Sequence, residues 1–265
     1  MKQISSLFSE IDACSQPEGY VRLSVKGRQA VACTWAAPVI RDLLADHTLH
    51  QWAASQRPHD LMHGRGVNYG VTLPAGSEPG QSTAVVVRRN RHGGLFRCIT
   101  GEFFPTPSRA PLELLNALQL AAAGVNTPEV VAYAIYPACL NLVRSDVVTR
   151  RLPEGGDLPD VWRKADSSAR EAILAAVATL LSALAEAGAW HADLNLKNIY
   201  ISGQGSALTS YLLDVDRVTF PGCNDIADRN FNRLARSARK WRTKWGLDFD
   251  DKAIECLAAL SREIT

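Results

Sequence analysis

Two short segments in the second half of the chain carry residue types at a spacing suited to chemistry. Residues 190–199 contain His-x-Asp-x-x-x-x-Asn, which places Asp193 five positions before Asn198. Residues 212–216 are an apolar run that leads into Asp214. In phosphoryl transfer an Asp can take the proton of the attacking hydroxyl, while such an Asn and a downstream Asp hold Mg²⁺. The alternative for the first segment is a polar loop with a capping Asp.

The flanking sequence predicts the elements that would position these residues. Strands are expected at 199–201 and 211–215 around a Gly/Ser turn at 203–206, so Asp214 would lie at the end of a hairpin. The clearest helix of the chain, 168–187, precedes the loop, with a capping box at its first residue and a glycine after its end. A buried helix, a polar loop and an acidic hairpin in this order favour a kinase-like phosphotransferase.

Further upstream, glycines and one basic residue could hold the phosphates of ATP. Gly64, Gly66 and Gly70 would let backbone N–H groups close over phosphates. Their spacing departs from G-x-G-x-x-G, and an ordinary turn is the alternative. Arg88 ends a strand predicted at 83–88, where its guanidinium can bind a phosphate through two hydrogen bonds. An exposed basic turn is the alternative there.

A helix is predicted over 111–123, with Pro in its first turn and Gly124 after its end. Glu113 falls in the first turn, where a carboxylate suits the helix dipole. If this helix is the counterpart of the kinase helix αC, Glu113 would pair with Arg88 and fix it. A plain first-turn Glu remains the open alternative.

Composition excludes several other classes. A chain of 265 residues has room for one large domain or two lobes, and a net charge of +2 identifies no partner. The six cysteines include no C-x-x-C pair, which argues against a zinc ribbon or a dense disulfide frame. We find no stretch of about 18 apolar residues and no signal-peptide pattern at the N-terminus. These observations predict a cytoplasmic protein without a transmembrane helix.

One basic segment stands out after the hairpin. Residues 229–244 contain seven basic and no acidic side chains. Apolar residues recur over 231–245 at steps of three and four, as on one face of a helix: Phe231, Leu234, Ala238, Trp241 and Trp245. The charges could attract an anionic lipid or a phosphorylated sugar, or they could merely solvate a helix that buries its apolar stripe. No nucleic acid is expected, because no recognition module accompanies the patch.

Taken together, these segments resemble the lipopolysaccharide core kinases, most closely the 3-deoxy-D-manno-octulosonic acid (Kdo) kinases. The resemblance implies ATP and Mg²⁺ as cofactors. It also implies an anionic glycolipid acceptor of the Kdo-lipid A type, at the cytoplasmic face of the inner membrane where the protein would be peripheral. It rests on residues 64–66, 87–94, 123–128, 191–195, 213–217 and 232–237.

The expected fold is α+β and bilobal, like a protein kinase, with a small β-rich N-lobe, a mainly helical C-lobe and ATP between them. The expected domains are an N-terminal extension packed on the N-lobe (1–60), the N-lobe (61–152) and the C-lobe (153–265). Asp193 would orient or deprotonate a sugar hydroxyl, Asn198 and Asp214 would bind Mg²⁺, and Arg88 would hold the ATP phosphates. The alternatives are a heptose kinase of the same superfamily and an inactive kinase-fold module that binds lipid or a partner protein.

Overall fold

The computed structural model describes residues 17–63, 66–74, 82–91, 101–105, 109–138, 142–203 and 205–264. The chain divides into two compact units. Unit 1 comprises the described residues up to Leu114 together with Glu129–Arg151, and unit 2 comprises Leu115–Pro128 together with the described residues from Leu152 onward.

Unit 1 is built on an eight-stranded sheet in which all paired strands are antiparallel. Seven strands follow the order β1-β2-β7-β8-β5-β4-β3, and β6 pairs with β8 off this path. Their bounds are β1 Tyr20–Val25, β2 Arg28–Cys33, β3 Asp60–His63, β4 Val67–Pro74, β5 Ser82–Arg89, β6 Phe104–Pro105, β7 Val130–Pro137 and β8 Leu142–Arg150. Strands β7 and β8 are buried along most of their length, as central strands should be.

Residues 20–33 supply strands β1 and β2 of this sheet. Two helices separated by a short break follow these strands, α1 (Ala37–Asp46) and α2 (Leu49–Ser55). The break falls at Thr48, whose side chain accepts from the Gln51 backbone while the Gln51 side chain accepts from the Thr48 backbone. This reciprocal capping box starts a new helix.

Unit 2 is mainly helical. A three-stranded sheet has the order β12-β11-β9, and β10 pairs with β13. The strands are β9 Gly155–Asp157, β10 Trp190–His191, β11 Ile199–Ser202, β12 Thr209–Leu212 and β13 Val218–Thr219. The helices are α3 Arg109–Ala122, which begins in unit 1, and α4 Leu158–Lys164, α5 Ser167–Glu186, α6 Ile226–Trp245 and α7 Asp251–Ile264.

Helix α5 is the core helix of unit 2. It buries eight residues, including Ile173, Val177 and Leu184, and it ends before Gly188, which adopts a positive φ of 62°. Its N-cap is Asp166, whose carboxylate accepts from the Ala169 backbone, so the predicted capping box is wrong. By length and composition alone α5 is long and apolar enough to cross a membrane, a test that core helices of folded domains also meet. Its burial is that of a core helix.

The observed architecture confirms the predicted fold class. One unit is β-rich and the other mainly helical, in an α+β chain. The hairpin that follows the polar loop is present as β11 and β12, although β12 ends at Leu212 and does not reach residue 215. The chain therefore has a protein-kinase-like fold.

Candidate active site

The polar loop of unit 2 closes on the backbone carbonyl of Asp193. The side-chain amides of Asn195 and Asn198 both donate to this oxygen, each at 2.9 Å. Asn195 also caps the 3₁₀ turn Leu196–Asn198 by accepting from the Lys197 backbone at 3.0 Å. The five-residue spacing of the motif is thus the spacing that lets Asn198 reach back to Asp193.

Asn198 is oriented by this hydrogen bond. The residue is 6% exposed, and because its Nδ2 donates to Asp193, the other amide atom, Oδ1, remains for a ligand. Within the described ranges no hydrogen bond occupies this oxygen. The Asn198 backbone carbonyl accepts from Leu213 at 2.8 Å, which ties the loop to the residue before Asp214.

Asp214 follows the hairpin in an unusual backbone conformation. Its φ of 54° and ψ of 45° lie in the left-handed region, which costs a non-glycine residue about 1 kcal/mol. The residue starts the 3₁₀ turn Val215–Arg217. Asn116 holds this turn by donating to Val215 at 2.8 Å and to Val218 at 3.0 Å. A strained acidic residue fixed from both sides is typical of a functional position.

His191 joins the loop to the Asp214 segment. Its Nδ1 accepts from the backbone N–H of Asp193 at 3.1 Å, so the ring proton lies on Nε2, which faces the Leu213 carbonyl at 3.3 Å. The ring is fully buried, and this burial lowers its pKa below the ordinary value, against the raising effects of the Leu213 hydrogen bond and the nearby carboxylates. His191 is therefore a neutral structural link.

This neutral state predicts a pH dependence of stability. As the pH falls below about 6.5, the unfolded state binds a proton that folded His191 resists, so the free energy of unfolding should decrease. In His191→Asn this contribution should be absent. Urea unfolding of both proteins between about pH 7.5 and pH 5.5 checks it, because the wild-type curve should fall more steeply. Parallel curves would mean that His191 does not titrate in this way.

The donor set fits Mg²⁺ bound together with a nucleotide. Among the described residues no group of three or more His, Cys, Asp or Glu side chains could hold a metal alone. Mg²⁺ does not require such a cage, since it is often bound by one or two carboxylates with substrate phosphates and water. Asp214 supplies one such carboxylate, and Asn198, which bonds to the neighbouring Leu213, supplies a neutral amide oxygen.

The structure adds residues that sequence reasoning did not assign to the site. Arg233 of α6 donates to the Asp193 carboxylate at 3.0 Å. Asn230 accepts from the His191 backbone at 3.1 Å and donates to Ala189 at 2.8 Å, while Ser237 accepts from the Leu196 backbone at 3.2 Å. Positions 230, 233 and 237 share one face of a helix, and this spacing of polar residues is the signal that could have revealed them.

In unit 1 the structure pairs Arg88 with Glu113, as the sequence suggests. Arg88 lies near the end of β5, and its guanidinium forms an ion pair with the carboxylate of Glu113. Helix α3 begins at Arg109, so Glu113 is in its second turn and the helix-dipole explanation does not apply. Glu113 is only 3% exposed, so its charge depends on this partner.

The two ends of this pair should contribute unequally to stability. Arg88→Gln leaves a buried carboxylate without its partner, so we expect it to cost about 3–5 kcal/mol. Glu113→Gln should cost less, because Arg88 is 23% exposed and can be hydrated. Chemical unfolding of the two variants beside exposed Glu154→Gln measures the difference. Equal, small losses in both would show that the pair contributes little.

The structure describes two of the three glycines that are predicted to close over phosphates. Gly64 lies outside the described residues. Gly66 faces the side chain of Arg91, with which an added Cβ would be in contact at 3.2 Å. Gly70 lies within strand β4, paired with Asp60 and Val86, and is not part of a loop.

Fold and site together define a kinase-like phosphotransferase, and the comparisons with known proteins define its family. Residues 88–253 match the lipopolysaccharide kinase (Kdo/WaaP) family. The chain is 28% identical over 214 residues to the 3-deoxy-D-manno-octulosonic acid kinase of Vibrio vulnificus (strain CMCP6), covering 78% of this chain and 84% of the relative. It is 25% identical over 218 residues to the enzyme of that name from Photobacterium damsela subsp. piscicida, covering 80% and 85%.

The chain therefore belongs to the lipopolysaccharide kinase (Kdo/WaaP) family. As a kinase it uses ATP. Likeness to a solved structure is weak: WaaP in complex with acyl carrier protein matches with a TM-score of 0.45 at 16% identity, covering 87% of this chain and 97% of that one.

Proposed function

We propose that the protein is an ATP-dependent kinase that phosphorylates a hydroxyl of Kdo on a lipid A precursor, in the synthesis of the lipopolysaccharide inner core. The observation that carries the proposal is the arrangement of Asp193, Asn198 and Asp214 on one hydrogen-bonded loop and hairpin. The relatives named as Kdo kinases support this choice of sugar.

Each residue of the site has a distinct task in this reaction. The carboxylate of Asp193 would accept the proton of the attacking sugar hydroxyl. Mg²⁺, when bound, neutralises the charge on the transferring phosphoryl group, and Asn198 and Asp214 would hold it. In unit 1, Arg88 would bind ATP phosphates from the position fixed by Glu113.

Arg233 has a role in this scheme because it contacts the general base. Its guanidinium holds one oxygen of the Asp193 carboxylate, which fixes the direction of the other oxygen. Arg233 is itself about one third exposed, so the guanidinium donors other than its buried Nε can meet an anionic acceptor. A glycolipid that carries phosphates and sugar carboxylates has such groups.

The proposed acceptor also indicates where in the cell the protein acts. A lipid A precursor is embedded in the inner membrane, so we propose that the protein works at the cytoplasmic face as a peripheral protein. Of the competing functions, a heptose kinase would use the same site on a different sugar. A catalytically inactive lipid-binding or partner-binding module would not need the metal-binding pair.

Mass spectrometry of three acceptors tests the proposal. The protein is incubated with Mg-ATP and a lipid A precursor to which no Kdo, Kdo only, or both Kdo and heptose have been added. We expect one added phosphate on the Kdo-bearing precursor and none on the precursor without Kdo. A phosphate that appears only when heptose is present would support the heptose kinase, and no phosphate on any acceptor would support the inactive module.

A further inference from the structure

The C-terminal turns of α6 carry a surface that the catalytic scheme does not use. Trp241 and Trp245 pack against each other with ring centroids 4.4 Å apart. Trp245 remains 51% exposed, which is unusual for so large an apolar side chain. Lys240 and Lys244 are exposed at the positions directly before the two tryptophans.

Positions 240, 241, 244 and 245 lie on one side of the helix, because residues four apart are one turn apart. Lys197, which pairs with Asp157 at 3.4 Å, also lies beside this side, with its ammonium group 5.7 Å from the Trp241 ring centroid. We call these five side chains, Lys197, Lys240, Trp241, Lys244 and Trp245, the tryptophan–lysine face.

The charges of α6 differ in their partners. Arg233 contacts Asp193, and Arg229 lies over the Trp190 ring at 4.0 Å. Arg239 and Arg242 both pair with Asp251. Arg236, Lys240 and Lys244, in contrast, form no ion pair with any residue that the structure describes. The basic segment is therefore not one uniform patch, and its unpaired lysines are on the side of the exposed tryptophan.

This face adjoins the active site through the polar loop. Lys197 is the residue before Asn198, and it bridges the loop to α6 by lying over Trp241. Asp193 is on the same loop and is held by Arg233 two turns earlier in the same helix. A surface that binds the tryptophan–lysine face would thus lie beside the residue proposed to activate the acceptor hydroxyl.

We infer that the tryptophan–lysine face docks on an anionic lipid bilayer. Tryptophan rings favour the boundary between head groups and acyl chains, and lysines reach from there to lipid phosphates. Each basic residue near such a surface strengthens binding, so charge and aromatic surface act together. The inference deepens the proposed function and rests on it, because it explains how this site reaches a membrane-embedded acceptor.

A pair of charge variants tests the inference. Lys240→Gln/Lys244→Gln removes two charges from the face, and Arg239→Gln/Arg242→Gln removes two from the side that contacts Asp251. Affinity is measured by co-sedimentation with vesicles of equal parts phosphatidylglycerol and phosphatidylcholine, without nucleotide. We expect the lysine variant to bind about 30-fold more weakly and the arginine variant to bind nearly as wild type. Equal weakening in both would mean that only net charge matters and would overturn the inference.

Trp245→Ser supplies an independent readout. Vesicles with brominated acyl chains should quench part of the wild-type tryptophan fluorescence, and this part should be lost in Trp245→Ser. Unchanged quenching would contradict insertion of Trp245. If the wild-type protein does not bind vesicles but binds an acidic protein through the same lysines, the face is a binding site for a protein partner instead.

Failure of the docking surface can be told apart from failure of the proposed function. The lysine variant should phosphorylate detergent-dispersed acceptor at the wild-type rate, because neither lysine belongs to the catalytic loop. If wild type phosphorylates no acceptor while the vesicle difference holds, the docking surface stands and the kinase proposal falls. If wild type phosphorylates dispersed acceptor but does not bind vesicles, the reverse holds.

Discussion

Replacing Asp193 by Ala should lower kcat by on the order of 10²-fold or more, the scale of a general base. The loop should survive the change, because Asn195 and Asn198 bond to the backbone carbonyl of Asp193 and not to its carboxylate. The variant also frees Arg233, which is partly exposed and can be hydrated. The loss should therefore be catalytic, with ATP affinity largely retained.

Steady-state rates and nucleotide titrations of Asp193→Ala decide this point. Asp228→Ala is a suitable control, since it removes an exposed carboxylate from helix α6, the helix whose Arg233 contacts Asp193. The control should turn over like wild type. Turnover near the wild-type rate in Asp193→Ala as well would remove this residue from the mechanism.

Asp214→Asn should raise the Mg²⁺ concentration needed for half-maximal activity by about tenfold or more, because a neutral amide is a poorer ligand for a hard cation than a carboxylate. The substitution keeps the size of the side chain, and Asn tolerates the left-handed backbone that Asp214 adopts. The fold of the 3₁₀ turn should therefore persist, with its two hydrogen bonds from Asn116.

The neighbouring carboxylate provides the comparison. Asp216 follows in the same turn, so activity is titrated against Mg²⁺ in Asp214→Asn and Asp216→Asn side by side. We expect the large shift in the first variant. An unchanged curve for Asp214→Asn with a displaced curve for Asp216→Asn would transfer the metal to Asp216.

The parts of the site that could be predicted depend on short-range sequence. The polar loop and hairpin follow from local spacing, since Asn198 reaches Asp193 within one turn and β11 pairs with the next strand. The Arg88–Glu113 pair could be predicted because the sequence locates the end of a strand and the start of a helix separately. In both cases the residue pattern itself restricts the backbone.

Other features depend on packing that no local pattern contains. The role of Arg233 requires α6 to lie against the loop, and the sequence shows only a basic stripe. Asp166 and Ser168 are both good helix caps, and only the hydrogen bond to Ala169 decides between them. Likewise, a charge count in residues 229–244 cannot tell arginines paired with Asp251 from unpaired lysines.

We propose that the loop carrying Asp193 takes part in transfer of the γ-phosphoryl group of ATP to Kdo. The most direct test of this proposal uses ATP labelled with heavy oxygen in the γ-phosphoryl group, a Kdo-bearing lipid A precursor, and fragmentation of the product by mass spectrometry. We predict labelled phosphate on the Kdo unit with wild type and almost none with Asp193→Ala over the same time. Unlabelled Kdo with wild type, or equal labelling by both proteins, would contradict this role of Asp193.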